Sequence, residues 1–195
     1  MRKKKVIGVG GNIGSGKTTV SQIFREFGAH CISADEIGWR VLPEIKEKLK
    51  ENFGAQIFTK DTVDRKKLRE VAFRSKENLR ILNSLSHPIL IKNLVTELKK
   101  IKSGMVVIDA ALLFDWPEVY KMVDFPILVR AKKSLMRKRA LQRGIDEKIF
   151  NQILTTQKSE NEMAQMARYI IVNNGTLAVL RKKCQKIFEE MKNDC

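Results

Sequence analysis

The chain has 195 residues, 43% hydrophobic and 31% charged, which supplies enough apolar material for a packed core and too much for a disordered chain. Against 22 Asp+Glu stand 38 Lys+Arg, a formal charge of +16, which admits polyanionic partners (nucleic acid, phosphorylated metabolites, an acidic membrane surface) without choosing among them. No apolar run approaches the roughly 20 residues of a membrane span, and the stretch after Met1-Arg-Lys-Lys-Lys5 is too short for a secretory signal, so a soluble cytoplasmic protein is expected.

Taken in chain order, Val6–Gly10 is a short β-branched run ending in glycines and is expected to be a buried strand. Val20, Ile23, Phe24 and Phe27 recur at helical spacing over Lys17–Phe27, and Gly28 stands where that helix would stop. His30–Ala34 is a second expected strand, with Asp35 beginning the next helix. Residues 36–102 then change character and show mainly helical patterns, at Ile45–Phe53, Arg65–Phe73, Glu77–Leu85 and Ile89–Ile101. Strand signals return at Met105–Asp109, Phe125–Val129 and Tyr169–Val172, and Leu177–Met191 closes the chain as a helix. Short apolar strands alternating with helices predict the α/β class, with a parallel sheet covered on both faces. The cysteines Cys31, Cys184 and Cys195 contain no CxxC pair and are expected to be one buried strand thiol and two C-terminal thiols, not a disulfide framework or a zinc site.

Gly11-Asn12-Ile13-Gly14-Ser15-Gly16-Lys17-Thr18 fits the pattern G-x-x-x-x-G-K-[ST] between an expected strand and an expected helix. Such a loop curls tightly enough for successive backbone N–H groups to surround phosphate oxygens, and the helix N-terminus adds a positive dipole. Lys17 would reach the β- and γ-phosphates, and the Thr18 hydroxyl would ligate Mg²⁺. A GTPase would carry N-K-x-D and, after the third strand, D-x-x-G; neither is found there. That strand ends instead in Asp109, whose carboxylate could hold Mg²⁺ through water or cap the following segment. Asp35 ends the second strand on the side where α/β sheets bind ligands. It could accept the proton of an attacking hydroxyl, or serve as a helix cap. Arg139 and Arg143 are four apart and, on one helical face, suit a closing segment that neutralises the transferred phosphoryl; a solvated basic face is the alternative. Lys132, Lys133 and Lys138 suit the solvated face better. A nucleoside or nucleotide kinase shares this P-loop core and is the nearest alternative enzyme, and with no helix-turn-helix signature and 7% aromatic residues, nucleic-acid binding ranks last.

Several further segments join the loop in order: Gly28–Asp35, Phe53-Gly54, Val63–Leu68, Leu85-Ser-His-Pro88, Val106–Asp115, Val123-Asp124, Arg139–Arg143, Ile153–Gln157 and Tyr169–Gly175. Together they resemble the dephospho-coenzyme A kinase family over residues 6 to about 175. The resemblance implies a single P-loop kinase domain over 1–195 with a five-stranded parallel sheet: a core of about 1–35, 103–135 and 165–195, a helical acceptor-binding insertion at about 36–102 that is not a separate domain, and a lid at about 136–164. It implies ATP-dependent phosphorylation of the ribose 3′-hydroxyl of dephospho-coenzyme A, the last step of coenzyme A synthesis. By position, Lys17, Asp35 and Arg139 would be catalytic, and Gly11 through Thr19 with Arg139, Arg143, Asn174 and Gly175 would bind ATP. Asp35, Arg65, His87, Leu112 and Leu113 would border the acceptor. On general grounds His87, before Pro88 at an expected helix start, is more often a packed or capping residue.

The chain also departs from the family pattern. Asn12 stands for a glycine, which Asn can replace because it tolerates unusual backbone angles. Ser33 replaces an Asp, Trp39 the Arg four residues after Asp35, Ala111 a Pro and Arg168 an Asp, and Leu42-Pro43-Glu44 replaces a Pro-Gly. Most of these changes fall on the acceptor side.

Overall fold

A computed structural model describes residues 4–194; Met1 to Lys3 and the expected thiol of Cys195 lie outside the described residues. The elements in the first part of the chain are β1 (Lys5–Gly10), α1 (Lys17–Glu26), β2 (His30–Ser33), α2 (Ala34–Val41), α3 (Lys46–Phe53), β3 (Phe58–Thr59), β4 (Thr62–Val63), α4 (Arg65–Ala72) and α5 (Lys76–Lys100). There follow β5 (Met105–Asp109), α6 (Pro117–Tyr120), β6 (Phe125–Arg130), α7 (Lys133–Gln142), α8 (Glu147–Thr156), α9 (Glu160–Met166), β7 (Tyr169–Val172) and α10 (Leu177–Asn193). The chain forms two compact units, Met1–Ser33 with Glu97–Cys195, and Ala34–Thr96.

The larger unit is a five-stranded sheet in the order β2-β5-β1-β6-β7, with every neighbouring pair parallel. β1 lies at its centre, and the chain leaves it first toward β2 and later, by way of β6, toward the other edge. The crevice at such a reversal, beyond the carboxyl ends of the strands, is the ligand site of open α/β sheets. The loop 11–16 occupies that position at the end of β1.

Alternation along β1 explains how both faces are filled. Ile7 and Val9 pack into a core with Val20, Ile23 and Phe24 of α1 and Leu180, Cys184 and Phe188 of α10, with the Phe24 and Phe188 rings stacked at 5.5 Å. Gly8 and Gly10 face the other way. A Cβ on either would come closer than 3.0 Å to Leu113 or Phe114 respectively, so these two side chains fill the space that the glycines leave. A second cluster of Ala131, Met136, Ala140 and Phe150 takes in Ile13 of the loop.

The smaller unit holds α2 to α4, the β3–β4 hairpin and most of α5. The pattern anticipated two helices, Glu77–Leu85 and Ile89–Ile101, but α5 is one helix of 25 residues with Pro88 inside it. Pro88 lacks the N–H that would bond back one turn. Ser86 Oγ nevertheless donates to Leu82 O at 2.7 Å, and the apolar row Leu90, Leu94 and Leu98 is buried beyond the proline. His87 is therefore interior to a helix and does not start one. The hairpin was not anticipated, because its turn is Lys60-Asp61 at positive φ and not Asn-Gly.

Cys184 is fully buried as a core thiol, but Cys31 is exposed, contrary to the buried thiol expected on that strand. β2 is the edge strand of the sheet. The Cys31 sulfur donates to Ser21 O at 3.2 Å, and partial burial pushes its pKa up to about 11. Arg168, before β7, lies over the rings of Phe125 and Tyr169 at 5.1 and 5.7 Å and pairs with Asp194 at 2.8 Å.

Phe24→Ala removes a fully buried ring from the α1–α10 core. It is expected to cost about 3–5 kcal/mol, read as a lower urea midpoint; a loss under about 1 kcal/mol would mean that the core can collapse around the cavity.

Candidate active site

The phosphate loop is built by exclusion of side chains. Gly14 (φ +76°) and Gly16 (φ +99°) hold left-handed backbone angles, and a Cβ on Gly14 would fall inside 3.0 Å of the Met136 backbone. On Gly16 it would strike the amide of Asn173. Asn12, by contrast, does not take a left-handed angle, so its place in the loop needs no such tolerance. Its carbonyl accepts from Ser15 N at 3.1 Å and from Lys17 Nζ at 3.2 Å. Asn12 Oδ1 and Ser15 Oγ are buried with no hydrogen-bond partner among the described residues.

α1 begins directly after Gly16, with Lys17 half-buried, Thr18 exposed and Thr19 half-buried in its first turn. The first N–H groups of a helix have no intrahelical acceptor, so this turn presents donors and a positive dipole end.

Three other segments clasp the loop. Arg139 of α7 donates through Nη1 to Gly14 O and Ser15 O, both at 3.3 Å, and through Nη2 to Asn173 O at 3.0 Å. Asn173, one residue past β7, donates from Nδ2 to Ser15 O at 2.8 Å, while its own N–H reaches Arg130 O at 2.7 Å. Gln157, just after α8, accepts from Ile13 N at 2.9 Å. Asn173 and Gln157 were missed as site residues. Both are uncharged and outside the phosphate-loop pattern, so only their place in the family segments singled them out.

Of the two arginines expected to share a helical face, Arg139 alone reaches the loop. α7 ends at Gln142, which leaves Arg143 exposed as its C-cap. Asn174 and Gly175 are exposed after β7, and Asn174 Oδ1 accepts from Lys132 N at 2.8 Å.

Two acids come at or just after the ends of strands in the chain. Asp109 closes β5 in register with Val9 and Ser33 and is 9% exposed. It caps no helix, since the next helical segment, Leu113–Asp115, has Leu112 at its cap. Asp35 lies two residues past the end of β2, and α2 begins at Ala34. Asp35 is thus in the first turn of α2, not at the expected N-cap, and its side chain is exposed. A carboxylate suits the positive end of the helix dipole there.

The remaining acceptor-side residues divide. Leu113 is fully buried over Gly8 and offers no side-chain surface to a ligand, so the expected contact is reduced to the half-exposed Leu112. Arg65 is exposed at the start of α4, with its guanidinium 4.7 Å from the Trp39 ring centroid. His87 is half-buried, and burial pushes its pKa down from the ordinary histidine value, which favours the neutral imidazole.

The family model described as dephospho-CoA kinase matches residues 5–178. Dephospho-CoA kinase of Aquifex aeolicus is 33% identical over 195 residues, covering 97% of this chain and 99% of the relative. The Borreliella burgdorferi enzyme of the same name is 35% identical, covering 95% and 93%. Among solved structures, dephospho-CoA kinase from Campylobacter jejuni superposes with a TM-score of 0.60 at 25% identity, over 96% of this chain and 97% of that one.

Asn173→Ala should lower stability by about 0.5–1.5 kcal/mol, because it removes one of the two donors to Ser15 O and leaves that of Arg139. Gly16→Ala should also destabilise, and in the double variant the two losses should sum to less than their parts, since the amide that the new Cβ strikes is gone. Urea denaturation of the four proteins measures this coupling.

Proposed function

We propose the residue roles below for this chain, which belongs to the dephospho-CoA kinase family. It is an ATP-dependent kinase of P-loop fold that phosphorylates the ribose 3′-hydroxyl of dephospho-CoA, giving CoA and ADP as the last step of coenzyme A synthesis. Its ligands are small molecules, and among the described residues no helix is long and apolar enough to cross a membrane. We place it in the cytoplasm, where its soluble substrates are found.

Residues 11–19 take the triphosphate, with the loop amides and the α1 dipole on its oxygens and Lys17 on the β- and γ-phosphates. Arg139 neutralises the transferred phosphoryl. The observation that carries this reading is the clasp of Arg139 on Gly14 O and Ser15 O, which fixes a guanidinium at the phosphate loop. Those bonds hold its remaining N–H groups beside the loop. Asn174 and Gly175 border the adenine of ATP, and Arg143 assists from the end of α7.

Mg²⁺ fits the oxygens available. The exposed Thr18 hydroxyl and the Asp109 carboxylate are hard donors, and among the described residues no cluster of three or more His, Cys, Asp or Glu forms a full cage. That is the pattern of an ion held chiefly by phosphates and water. Thr18 and Asp109, the latter through water, would hold it, and when bound it offsets charge on the β- and γ-phosphates.

Asp35 accepts the hydrogen bond of the 3′-hydroxyl and takes its proton. The O3′–Pγ bond forms as the bond from Pγ to the β–γ bridging oxygen breaks, and ADP leaves. Because the transition state is loose, orientation of the hydroxyl matters more than strong basicity, and an ordinary carboxylate suffices. Arg65 and His87, with Leu112, border the acceptor.

Asp35→Asn should lower kcat by about 10²–10⁴-fold with ATP affinity unchanged. Lys17→Ala should abolish transfer. ADP release with dephospho-CoA, AMP, CMP, adenosine or no acceptor measures both turnover and acceptor choice, and calorimetry measures ATP binding. If Asp35→Asn lowered only thermal stability, the carboxylate would be a helix-dipole residue and no base.

A further inference from the structure

The smaller unit carries one arrangement that the roles above do not use. α2 is eight residues long and buries Ala34, Ile37 and Val41. Asp35 and Trp39 are four apart, hence neighbours on a helix surface, and neither is buried. Over the Trp39 ring lies the Arg65 guanidinium, at 4.7 Å from the centroid. A planar guanidinium stacks well on an indole, the strongest aromatic partner for a cation. Asp64 accepts from Lys66 N and Lys67 N at 2.9 and 3.1 Å, which fixes the start of α4 and so the root of Arg65. The result is an ordered row of carboxylate, indole and guanidinium. A mobile arginine would lose rotamer entropy when it closes on a phosphate, and a stacked one has lost much of it already.

We propose that Trp39 is a positioning residue for the acceptor: its indole holds the Arg65 guanidinium in place for the diphosphate of dephospho-CoA, while Asp35 of the same helix face receives the ribose hydroxyl. This rests on the reading of Asp35 and Arg65 as acceptor residues. The chemistry is consistent on both sides. The acceptor joins an adenosine ribose to a dianionic diphosphate, and a planar fork of donors matches phosphate oxygens in a bidentate manner. An aromatic side chain at position 39 adds no charge of its own, so the row binds the diphosphate through one rigid cation.

The test is steady-state kinetics on the intact chain with Trp39→Ala, Trp39→Phe, Arg65→Ala and the Trp39→Ala/Arg65→Ala double variant. Trp39→Ala should raise KM for dephospho-CoA about tenfold, with kcat and KM for ATP within about twofold of the parent. Trp39→Phe, which keeps a ring under the guanidinium, should recover most of that loss. The double variant should resemble Arg65→Ala alone, since the indole acts through the arginine. If Trp39→Ala did not fold, Trp39→Phe against Arg65→Lys, which keeps the charge and loses the plane, would give the same split. A Trp39→Ala enzyme with parental KM beside an impaired Arg65→Ala enzyme would overturn the proposal and leave the acceptor reading standing. So would losses that add in full in the double variant, or a Trp39→Ala loss larger than that of Arg65→Ala, which would make the indole a direct stacking surface for adenine. An Arg65→Ala enzyme with unchanged KM would instead remove Arg65 from the acceptor site altogether.

Discussion

At Gly11, Gly14 and Gly16 the loop is pressed against other backbones or side chains with no room for a Cβ: Val129 in β6, Met136 in α7 and Asn173 after β7. Glycine in the loop is thus required from outside as well as by its own left-handed angles. The consequence is chemical. With side chains excluded, the loop can present little but amide groups to a ligand, and a curl of amides at a helix start is what a phosphate needs. The same contact explains why Arg139 can act where it does. Met136 and Arg139 lie one turn apart on α7, and Met136, Ala140 and Phe150 form a small core with Ile13 of the loop. The arginine and the phosphate cradle therefore share one packed body.

This body depends in turn on the sheet. β1 spends its glycines on one face and its branched residues on the other, so that Leu113 and Phe114 seat directly over Gly8 and Gly10 while Ile7 and Val9 meet α1 and α10. The segment after β5 is thereby tied to the strand before the loop. Leu113, which the family resemblance set at the acceptor, does its work here as packing. A residue can recur with a site because it holds up the backbone that makes the site, and a motif by itself does not separate that from contact.

What the sequence made legible follows the same physics. The three inner strands of the large sheet, β5, β1 and β6, were readable as short, mostly apolar runs because both their faces are largely covered, and the ends of all five strands agree with the pattern to within one residue. Pro88 misled because a proline is a local signal, whereas the apolar row on both sides of it is a tertiary one, and the tertiary one prevailed. The Lys60-Asp61 turn carries no glycine, so nothing local marked the hairpin. The phosphate loop, Lys17 and Thr18 were legible as chemistry in their own right. Asn173 and Gln157 were not, since a neutral amide that braces a carbonyl has no pattern until the chain is folded. Arg143 stands exposed at the C-cap of α7, while Arg139, one turn before it, reaches the loop.

The division of the chain gives these observations a common sense. Everything proposed for the triphosphate lies within the larger unit: the loop, Lys17, Thr18, Asp109, Arg139 and Asn174. Asp35, Trp39, Arg65 and His87, proposed for the acceptor, all lie in the smaller one, which joins the larger at residues 33–34 and again inside α5 at residues 96–97. A change in the smaller unit can alter acceptor recognition without touching the contacts that fix the phosphate loop. Two of the departures from the family pattern, Trp39 and the 42–44 segment, fall in that unit. At Trp39, where the family pattern has an arginine, the chain sets a ring beside another cation, the Arg65 guanidinium, at 4.7 Å from its centroid. Asn12 makes the complementary point in the larger unit: it is accepted because its backbone angle is ordinary and its carbonyl, the part the loop uses, is common to every residue. Where a site is made of backbone it tolerates a change of side chain that leaves the backbone path open, and where it is made of side chains it must compensate.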